Sequence, residues 1–430
     1  MNSRMLLPIL ALAPVFVGCT TARGKEPEPA EPAETIAESG NAFAVDMYKR
    51  LAGTEGNLFF SPTSIQTALA MTYAGARGDT AAQMETALHL PEDADDVHAD
   101  FAKLIADLNE QRRVTTWTEK DGKVERGTKP AYELHLANAL WGQERYPFKD
   151  EFLALTGECY DAALHEVDFA ASAEARKTIN TWVEKQTNDK ITDLIPAGVL
   201  IELTRLVLTN AVYFKSDWAE QFEERATKDG DWHVSAAESY ETPMMHQQEQ
   251  FGYAEMESLQ ALSLPYKADE LDMVILLPRE RDGLGELEKG LTGEKLAGWL
   301  DALERKEVRV TMPKWKFTSR FGLKDVLSSM GMPAAFNRDK ANFTGIADVE
   351  KLWIDAVLHK AYVAVDEDGT EAAAATAVVM RAEAITPEPP EVKVFTADHP
   401  FLFLIRHKDT GAILFMGRVA KPEWPDEDDG

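Results

Sequence analysis

Ser61, His359 and Asp366 are the residue types of a nucleophile, a general base and the carboxylate that orients it, and a serine so activated attacks acyl carbon. The local sequence argues for a quieter reading. Ser61 stands directly before Pro62, the order expected of a helix N-cap followed by the first helical residue. His359 lies at the edge of an apolar strand pattern, where a hydrogen-bonded core role is the commoner one. His246 and Glu249, in MMHQQEQ, are metal-ligand types three residues apart, yet no third ligand accompanies them and they read as surface groups. No GxSxG turn, HExxH pair, Walker-type loop, CxxC pair or Gly-rich dinucleotide fingerprint occurs. These residues predict no enzyme, no metal and no cofactor.

A different chemistry is carried by residues 369–380, GTEAAAATAVVM, which run into the Pro- and Glu-rich RAEAITPEPP. At a period of two, Thr370, Ala372, Ala374, Thr376, Val378 and Met380 share one face, and Glu371, Ala373, Ala375 and Arg381 fall on the other. Such a strand gains little by packing alone, because it is short of large apolar groups. It needs a sheet to receive it. A small-residue helix or a linker is the competing reading of the same stretch, since alanine is the best helix former.

Cys19 is the third candidate. Arg4, the apolar run Met5–Val17 and small Gly18 precede it, as in a secretory signal too short to remain as a membrane span. The junction resembles a bacterial lipobox, whose cysteine becomes the lipidated first residue; an ordinary signal cleaved between Ala13 and Gly18 is the alternative. Residues 1–18 are therefore expected to be a signal peptide. Residues 19–39, with EPEPAEPAE, read as a lipidated cysteine and an extended tether, residues 40–422 as the folded domain, and residues 423–430 as an acidic tail. Thr20 after the cysteine points to the outer membrane or cell surface; without lipidation the protein would be secreted.

The surrounding elements follow from periodicity. Ile65, Leu69 and Tyr73 recur on one helical face after Pro62, and Gly75 and Gly78 end that helix, with Asp79 as cap of the next. YELHLANALW (132–141) alternates as a strand, after a polar stretch from Thr118 to Pro130 that suits a loop. LVLTNAVYF (206–214) is apolar throughout, as a strand covered on both faces must be. Residues 308–317 and 360–365 read as further strands, and FLFLIRHKDTGAILFMGRV as a hairpin turning at Lys408–Gly411. With 430 residues, 45% of them hydrophobic, and no domain-sized linker after residue 40, one large α+β domain is expected. The net charge of −28 argues against nucleic acid or an anionic lipid surface as partner. Cys159 would be the one unlipidated cysteine, so no intrachain disulfide framework is available.

Four stretches, NLFFSPTSIQTALAMTYAGARGDT (57–80), LTNAVYFKSDWAEQF (208–222), VDEDGTEAAAATAVVM (365–380) and FTADHPFLFLIRHKDTGAILFMGRV (395–419), together resemble the serpins, in serpin order. The resemblance implies a serpin fold, about nine helices around three β-sheets with an exposed reactive-centre loop. It implies a monomer that acts as a protease inhibitor rather than an enzyme, its partner a serine or cysteine protease captured as a covalent complex. By the same resemblance Glu367, Gly369, Thr370, Glu371, Ala372, Ala373, Ala374 and Ala375 form the hinge of the loop. Ser61, Ser64, Asn210 and His359 form a polar cluster beneath the two strands that part, and Trp218 sits where the loop first enters. Family spacing, fourteen residues on from Gly369, makes Glu383–Ala384 the reactive bond, with Arg381, Met380 and Ile385 as alternatives.

Overall fold

The computed structural model describes residues 32–91, 94–120, 123–160, 164–235, 237–348, 351–370 and 391–424. Among these, nine α-helices accompany three sheets of nine, six and two strands, the α+β architecture expected.

The six-stranded sheet carries Asn210 and His359. Its order runs from the edge strand Trp315–Gly322 through Ala356–Val365, the two-residue strand Gly369–Thr370, Leu206–Asp217 and Tyr132–Gln143 to Leu164–Val167. Leu206–Asp217 is buried at every position except Lys215, in keeping with its apolar run and its place in the sheet interior. Under it lies the helix Pro62–Tyr73, all of whose residues are buried. Ser61 caps that helix, its side chain accepting from the Ser64 amide, with proline in the first turn.

The nine-stranded sheet is organised around Leu271–Pro278, buried along its whole length. The hairpin Phe401–His407/Ile413–Val419 forms as its sequence predicts, and Gly411 takes φ +72° in the turn, a conformation that glycine adopts without a Cβ penalty. Phe59 stacks between Phe403 and Phe415 with centroids 5.7 and 5.1 Å away, tying the strand Leu58–Phe60 to that hairpin.

Several expectations are corrected. Residues 32–39 are not tether: the first helix spans Pro32–Leu51, Ile36 and Ala37 are buried, and the Ser39 hydroxyl donates to the Leu88 carbonyl. Residues 118–120 and Lys123–Pro130 are not loop but strand, Arg113–Lys120 pairing antiparallel with Lys123–Pro130; the Asp-Gly between them in sequence is a hairpin signal that the polar flanks obscured. Residues 308–317 are two strands in two sheets, Glu304–Pro313 and Trp315–Gly322, because Pro313 has no N–H to continue a ladder and the chain changes sheet at Lys314. Asp79 lies within the helix Gly78–Ala87, whose N-cap is Arg77. Glu423 and Trp424, read as tail in the sequence, pack on the body.

Candidate functional site

Ser64, Asn138, Asn210 and His359 converge at the middle of the six-stranded sheet. The register sets His359 opposite Asn210 in the parallel pair and Asn138 opposite Asn210 in the antiparallel pair, so three side chains line up across three strands. His359 is central in its strand, not at an edge, and wholly buried. Its Nε2 accepts from the Ser61 amide at 3.3 Å, which leaves Nδ1 to carry the proton and donate to Asn210 Oδ1. Burial pushes the imidazole pKa down to about 3, so the ring is neutral across the physiological range. Asn210 Nδ2 donates to Ser64 Oγ at 2.6 Å and also to Asn138 Oδ1; the Ser64 hydroxyl donates to the same Asn138 oxygen at 2.9 Å.

Asn138 was missed in the sequence, although a signal existed. Leu134, Leu136 and Leu140 share its face, and an asparagine inside a leucine row needs a buried partner. The network is asymmetric in a way that bears on motion. Parting Ala356–Val365 from Leu206–Asp217 would break the His359–Asn210 bond and the six paired positions from Ala356/Val207 to Ala361/Val212, while the bonds among Ser64, Asn138 and Asn210 would survive. Each buried polar group orphaned in this way costs about 1–3 kcal/mol. The His359–Asn210 bond is the part of the cluster that spans this seam.

At the upper end of that seam the sheet is already open. Gly369 pairs with Asp217 and Thr370 with Ser216 on one side, and Thr370 with Val365 on the other, so this two-residue strand lies between the two longer ones. Gly369 is required by close approach: a Cβ there would sit 2.1 Å from the Ser216 carbonyl oxygen. Thr370 is buried, its hydroxyl 2.6 Å from that of Tyr266, and Tyr266 stacks on Trp218 with centroids 4.5 Å apart. Trp218 donates from Nε1 to the Asp366 carbonyl at 3.0 Å and from its amide to the Asp368 carbonyl at 2.9 Å. It therefore holds the turn at residues 366–368 that leads into Gly369–Thr370.

Carboxylates fix that turn. Asp366 accepts from the amides of Asp368 and Gly369 at 3.0 and 3.2 Å, and burial pushes its carboxyl up to about 6 despite those bonds. Glu367 is 2.8 Å from Lys314 Nζ and accepts from the Thr227 hydroxyl at 2.6 Å. Burial opposes its ionisation, but these bonds prevail and hold it below the usual carboxylate range.

The remaining sequence candidates separate clearly. Ser61, His359 and Asp366 form no triad, since His359 Nδ1 engages Asn210 instead of a carboxylate, Ser61 Oγ serves the helix cap, and the Asp366 carboxylate serves the hinge turn. His246 bonds Thr311 Oγ1 at 3.0 Å; it and Glu249, three apart on a strand, project to opposite faces. Among the described residues no three His, Cys, Asp or Glu side chains gather as metal ligands. Glu371 to Ala375, Met380, Arg381, Glu383, Ala384, Ile385 and Cys19 lie outside the described residues.

Comparison with known proteins agrees with this geometry. Residues 38–422 match the family model described as serpin (serine protease inhibitor). An uncharacterised serpin-like protein of Thermococcus kodakarensis is 43% identical over 392 residues, 90% of this chain and 86% of its own length. The leukocyte elastase inhibitor of Bos taurus is 42% identical over 400 residues, 90% of this chain and all of its own. Among solved structures, Serpin48 of the insect Tenebrio molitor superposes with a TM-score of 0.77 at 33% identity, covering 91% of this chain and 99% of that one. Uncleaved ovalbumin does so with a TM-score of 0.77 at 30% identity, covering 90% of this chain and 100% of that one. With residues 38–422 matching the family model and relatives above 40% identical over 90% of its length, this chain belongs to the serpin family, the serine protease inhibitors.

Proposed function

We propose that this protein is a suicide-substrate inhibitor of serine or cysteine endopeptidases, with Glu383–Ala384 as the bait. The observation that carries the reading is Gly369–Thr370 seated between two strands that are still paired below it. The protease nucleophile attacks the Glu383 carbonyl carbon, an ester or thioester forms, the Glu383–Ala384 peptide bond breaks, and the new Ala384 amine leaves with a proton. Freed at one end, the loop zips down the seam as an added strand. About fifteen residues at about 3.3 Å each would carry the tethered protease about 50 Å before water completes hydrolysis. Small residues from Ala372 to Ala375 suit rapid entry, and Val378 and Met380 add apolar burial late.

Challenge with a panel of purified proteases, resolved on a denaturing gel, tests this. The expected result is a covalent band near the summed masses with a glutamate-preferring enzyme, together with a released peptide that begins at Ala384. A peptide beginning after Arg381, Met380 or Ile385 would move the bait without touching the mechanism. Clean nicking with no covalent band by any enzyme would instead favour a non-inhibitory member that acts as a binding protein.

A further inference from the structure

The last strand ends at Val419, yet the five residues after it are bound more tightly than a chain end requires. The Asn57 side chain accepts from the amides of Ala420 and Lys421 at 2.8 and 2.9 Å and donates to the Lys421 carbonyl at 2.7 Å. Trp232 Nε1 donates to the Ala420 carbonyl at 3.3 Å, the Tyr240 hydroxyl to that of Pro422 at 2.8 Å, and the Lys316 amide to that of Glu423 at 2.8 Å. Every carbonyl from 420 to 423 thus has its own donor: Trp232 and Tyr240 from the nine-stranded sheet, Lys316 from the six-stranded one, and Asn57 from just before the strand Leu58–Phe60. The path starts at the nine-stranded sheet, crosses to the edge strand of the six-stranded one, and ends with the Trp424 ring 4.5 Å from Lys314 Nζ.

Lys314 is the residue at which the chain changes sheet, and its ammonium is the partner of Glu367, 2.8 Å away and two residues before the Gly369–Thr370 strand. A cation over an indole face is held electrostatically and is shielded from water on that side. We infer that Trp424 is a positioning residue: the C-terminal strap holds Lys314 on Glu367 and so keeps the hinge turn in register at the mouth of the seam. Among the described residues, Lys314 links the strap to the turn before Gly369–Thr370. Without the ring, Lys314 is free to reorient toward solvent, and the turn that begins insertion loses one of its fixed points.

Two measurements on the full-length protein test this, and the second alone rests on the inhibitory reading above. In hydrogen exchange, the amides of Trp218 and Phe222, which donate to the Asp368 and Glu367 carbonyls, should lose protection by about two- to fivefold in Trp424→Ala. Amides of Leu271–Pro278 should not change, and Trp424→Phe, which keeps an aromatic face, should recover most of the protection. In protease challenge, Trp424→Ala should raise the amount of inhibitor consumed per trapped protease by about the same factor. If the wild-type protein traps no protease, the inhibitory reading fails and the exchange result still decides the strap. Wild-type protection of Trp218 and Phe222 in Trp424→Ala, or a loss spread evenly through both sheets, would overturn the inference.

Discussion

Two buried side chains set opposite conditions on the sheet. His359 is neutral and donates one hydrogen bond across the seam, so it holds the seam shut without the cost of a buried charge. Asp366, at the mouth, has its carboxyl pushed up by burial to about 6 from an ordinary 3.8, because two amide donors offset only part of the desolvation. The sign follows from linkage. A carboxyl whose folded value is raised stabilises the native state fully below its unfolded value, and that contribution is lost as pH rises through about 6. Asp366→Asn keeps a carbonyl acceptor for the Asp368 and Gly369 amides and has no charge to desolvate. Its melting temperature should therefore fall less than that of the wild type from about pH 4 to about pH 7, and should exceed it at the upper end. Parallel melting curves would show that the Asp366 carboxyl has no raised value. At this scale a polar residue interrupting an apolar row leaves a mark in sequence, as at Asn210, which the family resemblance named, and at Asn138, which was missed. The sequence was not legible at Tyr266 or Lys314, whose importance arises from neighbours about a hundred and about fifty residues away in sequence.

Among the elements, the shortest strand has the largest consequence. Gly369–Thr370 is two residues long and starts a third strand between two others. Thr370 is admitted because it is small, uncharged and able to bond the Tyr266 hydroxyl. An arginine in its place would bring a charge against the stacked Tyr266 and Trp218 rings, with its desolvation uncompensated. A barrier raised by only about 1.4 kcal/mol slows entry tenfold, which lets hydrolysis finish first. Thr370→Arg should convert the protein from inhibitor into substrate, read as complete loop cleavage with little covalent band on a denaturing gel. An unchanged yield of complex would remove the hinge from the mechanism. The strands Leu206–Asp217 and Phe401–Val419 were readable because burial on both faces and a hairpin turn leave direct marks in sequence. The break at Lys314 was not, since a ten-residue apolar alternation looks alike whether it serves one sheet or two. Likewise the polar composition of Arg113–Pro130 hid a hairpin that pairs mainly with itself.

At the scale of the molecule, the body from Pro32 onward is one compact unit, with Cys159 a free thiol, so its persistence rests on packing and hydrogen bonds. The same contacts frustrate it. The six-stranded sheet is closed below Ala361 and Val212 and wedged at Thr370, an arrangement that further pairing would complete. Under the proposed mechanism the native state is kinetically held, because the longer ladder lies behind the cost of breaking the His359–Asn210 bond. Cutting the loop should release a strand into the sheet, and thermal unfolding of the loop-cleaved protein reads this out. Cleavage within residues 380–386 should raise the melting temperature well above that of the intact chain, because an added central strand pairs on both sides. A cleaved protein that melts at or below the intact one would contradict the account.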